Sequence, residues 1–209
     1  MKLTSNSLQP DAAIPASHAF GRPDPDTHIA LSDNISPHIS WSGAPEGTRS
    51  FALLCIDPDV PTVGDDVNQE GRTVPVDLPR GDFVHWVLVD MPASCSELGE
   101  GDCGAGVVAR GKQIPKGPAG SRQGVNDYTS WFSGDPDMAG IYRGYDGPCP
   151  PWNDERLHHY TFTVYALSVD RLPLEGDFTA SDAKVAMDGH VLAEASLTGT
   201  YTNNPSVQG

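Results

Sequence analysis

Apolar positions fall into three runs that set the framework of the chain. From Arg49 to Ile56, RSFALLCI is apolar at both parities, the pattern of a strand covered on both faces. Phe83 to Asp90, FVHWVLVD, repeats that pattern and puts His85 at the parity of Phe83, Val87 and Val89. His158 to Leu167 alternates instead: His158, Tyr160, Phe162, Val164 and Ala166 fall on one side, His159, Thr161, Thr163, Tyr165 and Leu167 on the other. That period of two predicts a strand with His158 at its mouth. Ahead of it, the prolines between Pro148 and Pro151 fix φ at about −65° and remove amide donors, so this run is a preset loop that cannot join a central ladder.

The remaining pattern is weaker. His28–Leu31 and His38–Ser42, set among turn signals such as SDN and GAPEGT, predict an edge sheet within residues 1–48. Asp57-Pro58-Asp59-Val60-Pro61 stops the first buried strand at two prolines, with Asp57 at the parity of Cys55, Leu53 and Phe51. Residues 62–82 and 93–144 carry no regular period and read as loops, long enough that a compact domain keeps them to wrap itself or to line a site. Thr179 or Ser181 caps a helix running toward Met187, Asp188-Gly189 interrupts it, and HVLAEASL from His190 to Leu197 reads as a second short helix. With no internal repeat, the organisation is one β-rich domain over 1–209 with a small C-terminal helical pair.

Composition agrees and adds constraints. A chain of 209 residues at 38% hydrophobic supports one core, and 22 Gly with 19 Pro between β-branched runs favour a β-rich fold with long loops. Thirteen basic residues against 28 acidic give a net charge of −15, which opposes nucleic acid and anionic membranes at long range. Any bound anion needs a local pocket. The opening MKLTSNSLQPDAAIP has no apolar stretch of a signal peptide, and no window approaches the ~18 apolar residues of a membrane span, so a cytoplasmic location is expected. The cysteines at 55, 95, 103 and 149 form no C-x-x-C pair; four thiols are expected in the cytoplasm, and Cys95 and Cys103 would pair only in an oxidising compartment.

Candidate chemistry gathers at strand ends. A single His on an apolar strand is usually a satisfied core residue, but His85, His158 and the strand-terminal Asp57 all stand at proline-bounded ends. If the strands are neighbours, they form a small cleft, to which Tyr160 adds a phenol donor on the face of His158; His159 points away. One carboxylate and two imidazoles also satisfy the residue list of a metal site, yet no H-x-H or H-E-x-x-H spacing supports it, and neither metal nor cofactor is expected. G-x-S-x-G is absent, and Cys149 between Pro148 and Pro150 reads as a small side chain in a tight loop. Gly106–Lys112 spells G-x-x-x-x-G-K, but Gln113 follows where a magnesium-binding hydroxyl belongs, and the match reads as coincidence.

Taken together, Asn34-Ile35-Ser36-Pro37 with Ser40-Trp41, DPDVP at 57–61, HWVLVDMP at 85–92, GPCPP at 147–151, and His158 with Tyr160 resemble the phosphatidylethanolamine-binding protein family, in particular its bacterial Raf-kinase-inhibitor-like branch. The resemblance covers nearly the whole chain and implies a mostly β, antiparallel sandwich with a large central sheet, a smaller sheet and short C-terminal helices. It also implies a shallow anion pocket lined by Asp57, Pro61, His85, Gly147, Pro150, His158 and Tyr160. Phe83 stands where family members often carry Trp. No general catalytic activity comes with the resemblance; some members regulate kinases by protein contact, and a homodimer is among the assemblies it allows.

The leading expectation is therefore a non-enzymatic binding protein for a small anion, phosphate or a phosphomonoester head group, with His85, His158 and Tyr160 as donors and Asp57 favouring a charged histidine. Two alternatives stand beside it. One is a protein-interaction or kinase-inhibitor-like regulator whose acidic loops meet a basic partner; the other is a weak hydrolase or metal-dependent enzyme in the same cleft.

Overall fold

The computed structural model describes residues 1–207. In chain order its strands are β1 (Lys2–Thr4), β2 (Gly21–Asp24), β3 (His28–Leu31), β4 (Ile39–Ser42), β5 (Ser50–Pro61), β6 (Arg80–Pro92), β7 (Glu97–Leu98), β8 (Arg122–Gln123), β9 (His158–Leu167) and β10 (Val191–Tyr201), with helices α1 (Tyr128–Trp131) and α2 (Ala180–Met187). The central sheet runs β10-β9-β5-β6-β8 with every pair antiparallel. A three-stranded sheet, β1-β4-β7, and the hairpin β2-β3 accompany it.

The two faces of the central sheet explain why β5 and β6 are apolar at both parities. Phe51, Leu53 and Cys55 of β5, with Trp86, Leu88 and Phe162, pack against Leu3, Ile39, Trp41 and Leu98 of the small sheet. Ala52, Leu54, Val87 and Val89 face the other way, onto Leu172, Phe178 and the Ala180, Ala183 and Met187 side of α2. Thr179 caps α2 in a capping box, its hydroxyl accepting from the Asp182 amide while Asp182 accepts from the Thr179 amide at 2.8 Å. All four cysteines are free thiols. Among the described residues no helix is long and apolar enough to cross a membrane.

Four local expectations need correction. His190–Leu197 is not a helix: Val191 to Tyr201 pairs with β9, and the buried side of β10 recurs every second residue through Leu197, Gly199 and Tyr201. Its Leu-Ala-Glu-Ala composition favours a helix, but the open ladder of β9 supplies a full set of backbone partners and tertiary pairing overrides propensity. The prolines of DPDVP do not end β5, which continues to Pro61 through an irregularity between Asp57 and Val60. There β5 has passed the end of its pairing with β9 at Ile56, so Pro58 and Pro61 remove no donor from that ladder. Residues 93–144 are not all loop, since β7, β8 and α1 lie within them.

His85 also departs from its expected side, and that departure positions the site. Cys55 pairs with Trp86 but Ile56 with Val84, so His85 is the extra residue of a β-bulge. Simple alternation would send His85 with Val87 and Val89 toward α2. The bulge turns its ring to the opposite side, where it meets Tyr160 edge-on with centroids 5.0 Å apart.

Candidate functional site

Beyond the end of the sandwich core, β5, β6, β9, the β2-β3 hairpin, α1 and the proline loop enclose a cavity of about 240 Å³. Its polar floor is made by Asp57, His85 and Tyr160; among the described residues no Lys or Arg lines it. Asp57 is 1% exposed, its Oδ1 accepting from the Asp59 amide at 2.8 Å and its Oδ2 from His158 Nδ1 at 2.7 Å. The Tyr160 hydroxyl is buried and has no hydrogen-bond partner. Burial raises its pKa well above the ordinary phenol value, and nearby Asp57 adds to the effect without offering a bond of good geometry. It is a neutral donor beside the Asp57 carboxylate with no well-formed bond to it or to any other described residue.

His158 does not line the cavity. It is fully buried behind Asp57, and its Nε2 lies 3.2 Å from Asp154 Oδ2. Burial alone would depress its pKa, but the hydrogen bonds it donates to the carboxylates of Asp154 and Asp57 raise it to about 9. His158 is therefore an imidazolium at neutral pH, donating from both nitrogens. Asp154 is held in turn by Arg80, at 2.6 Å from Nη1 and 3.0 Å from Nη2, so two acids and two cations alternate through the buried base of the site. Beside it Asp59 accepts from Arg156 Nε at 2.5 Å and from His159 Nδ1 at 2.8 Å. His159 itself is half-exposed.

His85 is set by a different network. Its Nδ1 donates to the Asp146 carbonyl at 2.8 Å, while the Asp146 amide donates to the His85 carbonyl, clamping the segment before the proline loop onto β6. Burial pushes the His85 pKa below its ordinary value, Asp57 opposing only in part, so the ring is neutral at pH 7 and Nε2 carries a lone pair. The Asp146 carboxylate is buried among Lys112 Nζ at 2.6 Å, Asn34 Nδ2 at 2.8 Å and Asn126 Nδ2 at 2.9 Å. Burial raises its pKa, and Lys112 opposes the rise. Asn34 also accepts from the Gly147 amide at 2.8 Å, and Tyr128 Oη donates to the Gly147 carbonyl at 2.7 Å. A Cβ at Gly147 would run into the His18 carbonyl, so only glycine lets the loop lie this close.

The walls are apolar. Phe20 stacks on Tyr128 at 4.4 Å, Tyr128 on Phe132 at 5.7 Å, and Phe83 meets Tyr128 edge-on at 5.2 Å. Tyr128, Trp131 and Phe132, spaced i, i+3 and i+4, come to one side of the single turn α1. Asp127 fixes that turn to β6 by accepting from the Val84 amide at 2.7 Å while its own amide donates to the Val84 carbonyl. On β3, alternation carries Ile29 and Leu31 to the cavity. Gly21 lets the hairpin approach the proline loop, because a Cβ there would stand 2.5 Å from Cys149 Sγ. Cys149 lines the wall as a neutral thiol, its pKa pushed up to about 12 by burial.

Of the seven expected site residues, Asp57, Pro61, His85, Pro150 and Tyr160 line the cavity, while His158 and Gly147 stand directly behind it. Both nitrogens of His158 are occupied by carboxylates, so Asp57, His85 and His158 present no common vacancy to a metal. Sequence reasoning missed the supports: Asp154 and Arg80 for His158, and Lys112, Asn34, Asn126 and Asp146 for His85. Lys112, the last residue of the G-x-x-x-x-G-K string, serves a buried ion pair. The 0/3/4 spacing of Tyr128, Trp131 and Phe132 was a legible signal for the aromatic wall.

Comparison with known proteins identifies the family of the chain. A family model described as phosphatidylethanolamine-binding protein covers residues 4–202. The UPF0098 protein YbhB of Escherichia coli (strain K12) is 34% identical over 204 residues, 97% of this chain and 100% of that one. A UPF0098 protein of Aquifex aeolicus (strain VF5) is 34% identical over 183 residues, 87% of this chain and 82% of its own. Among solved structures, E. coli YbcL, described as a new member of the mammalian PEBP family, superposes with a TM-score of 0.68 at 28% identity, covering 96% of this chain and 97% of its own. The Chlamydia trachomatis homologue CT736 gives a TM-score of 0.64 at 29% identity, covering 96% and 95%. The chain belongs to the phosphatidylethanolamine-binding protein family.

Proposed function

We propose that this family member is a non-enzymatic binding protein whose cleft takes a small oxyanion, phosphate or a phosphomonoester head group, one proton short of full ionisation. The observation that carries the reading is the Tyr160 hydroxyl, a buried donor with no protein partner, in the same floor as the unoccupied Nε2 of His85. An unmet buried donor costs about 1–3 kcal/mol, which a ligand oxygen would recover.

Charge balance sets the protonation state. Among the described residues no cationic side chain lines the cavity, and the imidazolium of His158 is already shared between Asp57 and Asp154. A dianion beside Asp57 would be poorly matched. A monoanion keeps one hydroxyl, which donates to His85 Nε2, and accepts from Tyr160 through an unprotonated oxygen. Alternatively His85 takes up the proton and donates a charge-assisted bond. Either route binds one proton with the ligand. Cys149, held as the thiol, supplies no nucleophile at neutral pH, which favours binding over hydrolysis.

Calorimetric titration with inorganic phosphate from pH 5.5 to 8 tests this. With the His85 pKa depressed, so that the free protein brings no proton to the site, affinity is expected to fall roughly tenfold per unit once pH exceeds the second pKa of inorganic phosphate. Affinity that stays flat across that range, or that is unchanged in His85→Ala, would sink the proposal.

A further inference from the structure

We infer that the cleft is built for an oxyanion esterified to a compact apolar group, an aryl or short branched alkyl monoester, with Leu31 and Trp131 gripping that group at the mouth. This rests on the oxyanion reading above and adds the other half of the ligand. The buried polar side chains with an open position stand together on the floor at Asp57, His85 and Tyr160. Outward the cavity is walled mainly by aromatic rings, Ile29, Val60, Val67 and prolines, with Asn68 at the exposed side already accepting from the Trp152 amide. A bare phosphate would satisfy the floor and leave those walls facing water.

The mouth carries the second observation. Leu31 is 60% exposed and Trp131 50% exposed, and both belong to the lining of the same cavity as the floor. A single exposed apolar residue needs no explanation, but these two come from different elements and are each aimed by local geometry at one opening. Leu31 follows Ile29 by strand alternation, and Trp131 follows Tyr128 by one helical turn that Asp127 fastens to β6. At about 240 Å³ the space is smaller than the roughly 300–1,000 Å³ of sites for drug-sized ligands, which limits the substituent to about one ring. The same head group on a lipid is disfavoured, because a net charge of −15 repels an anionic bilayer.

The experiment measures the affinities of inorganic phosphate, phenyl phosphate and phenol by calorimetry at pH 6, with flotation on vesicles containing phosphatidic acid as a further arm. Removing roughly 60 Å² of ring from water makes phenyl phosphate about tenfold tighter than phosphate. In Trp131→Ala and in Leu31→Ala, both at exposed positions, that ratio falls toward one. Equal affinities for phosphate and phenyl phosphate overturn the ester subsite and leave the oxyanion reading intact. Phenol binding as tightly as phenyl phosphate overturns the oxyanion reading, and with it the ester. Binding of neither phosphate compound overturns both, and flotation on vesicles without phenyl phosphate binding transfers the site to a lipid and overturns the soluble ester.

Discussion

Raising the pH from 6.5 to 8.5 should remove about 2 kcal/mol of folding stability through His158 alone. Its pKa in the folded chain is raised from 6.5 to about 9, because two buried carboxylates share its protons, and its side chain is fully buried, so solvent screening gives no discount. A group whose folded pKa lies above its unfolded value contributes stability that is complete below the unfolded pKa and is lost as pH rises through the folded one. At about 1.4 kcal/mol per unit, the contribution is about 3 kcal/mol below pH 6.5, and about 2 of that is gone by pH 8.5. Burial keeps the thiols of Cys103 and Cys149 at about 12 and that of Cys55 well above its ordinary value, so each stays protonated in the folded chain but begins to ionise in the unfolded one, which removes a further ~0.4 kcal/mol per thiol by pH 8.5. Urea unfolding at half-unit steps of pH would read the slope. His158→Gln, neutral throughout, should be about 3 kcal/mol less stable at pH 6.5 and should keep only the shallow loss of about 1 kcal/mol that the three thiols impose by pH 8.5. A wild-type curve that is level from pH 6.5 to 8.5, or a variant that keeps the wild-type slope, would refute the assignment of a shared proton at His158.

Other perturbations separate support from contact. Tyr160→Phe removes a hydroxyl that has no partner, so thermal unfolding should show stability unchanged or raised by about 1 kcal/mol while calorimetry shows phosphate affinity reduced; a loss of stability would mean that the hydroxyl is already satisfied. Lys112→Met leaves the Asp146 carboxylate buried without its cation and should cost about 3–5 kcal/mol in urea unfolding. Gly147→Ala forces a Cβ into the His18 carbonyl and should lower the melting temperature sharply, whereas Gly134→Ala, with open space around its Cβ position, should leave it nearly unchanged.

The sheet was readable because its hydrophobic period survives in the folded chain. Phe51 to Cys55 and Trp86 to Val89 are apolar at both parities because the small sheet covers one face and α2 the other. His158 and Tyr160 alternate inward as the pattern of β9 predicts. Where sequence reasoning failed, the deciding information was non-local. β10 has a helix-forming composition, and its strand identity comes from pairing with β9, although the alternation of Ala193, Ala195, Leu197, Gly199 and Tyr201 was a readable warning. The orientation of His85 depends on one bulged residue, which parity counting takes for a regular step.

The candidate site divides the same way. Motif resemblance located the residues of the floor, because Asp57, His85 and Tyr160 each belong to a motif, DPDVP, HWVLVDMP and the His158–Tyr160 pair. The partners that fix their protonation stayed invisible, since Arg80 is 74 positions from Asp154 and Lys112 is 34 from Asp146. Without those partners His85 and His158 look interchangeable. With them, one is a neutral ring at the cavity and the other a charged ring behind it, and only the first is placed to meet a ligand.

That distinction is open to direct measurement by following the imidazole resonances of His85 and His158 with pH, with and without phenyl phosphate. His85 is expected to titrate below its ordinary value of 6.5 in the free protein and at distinctly higher pH with the ligand bound, while His158 stays protonated to about pH 9 in both. A His85 titration that saturating ligand leaves unmoved would contradict the account, because the ligand would then be bound away from the one imidazole that the floor leaves open.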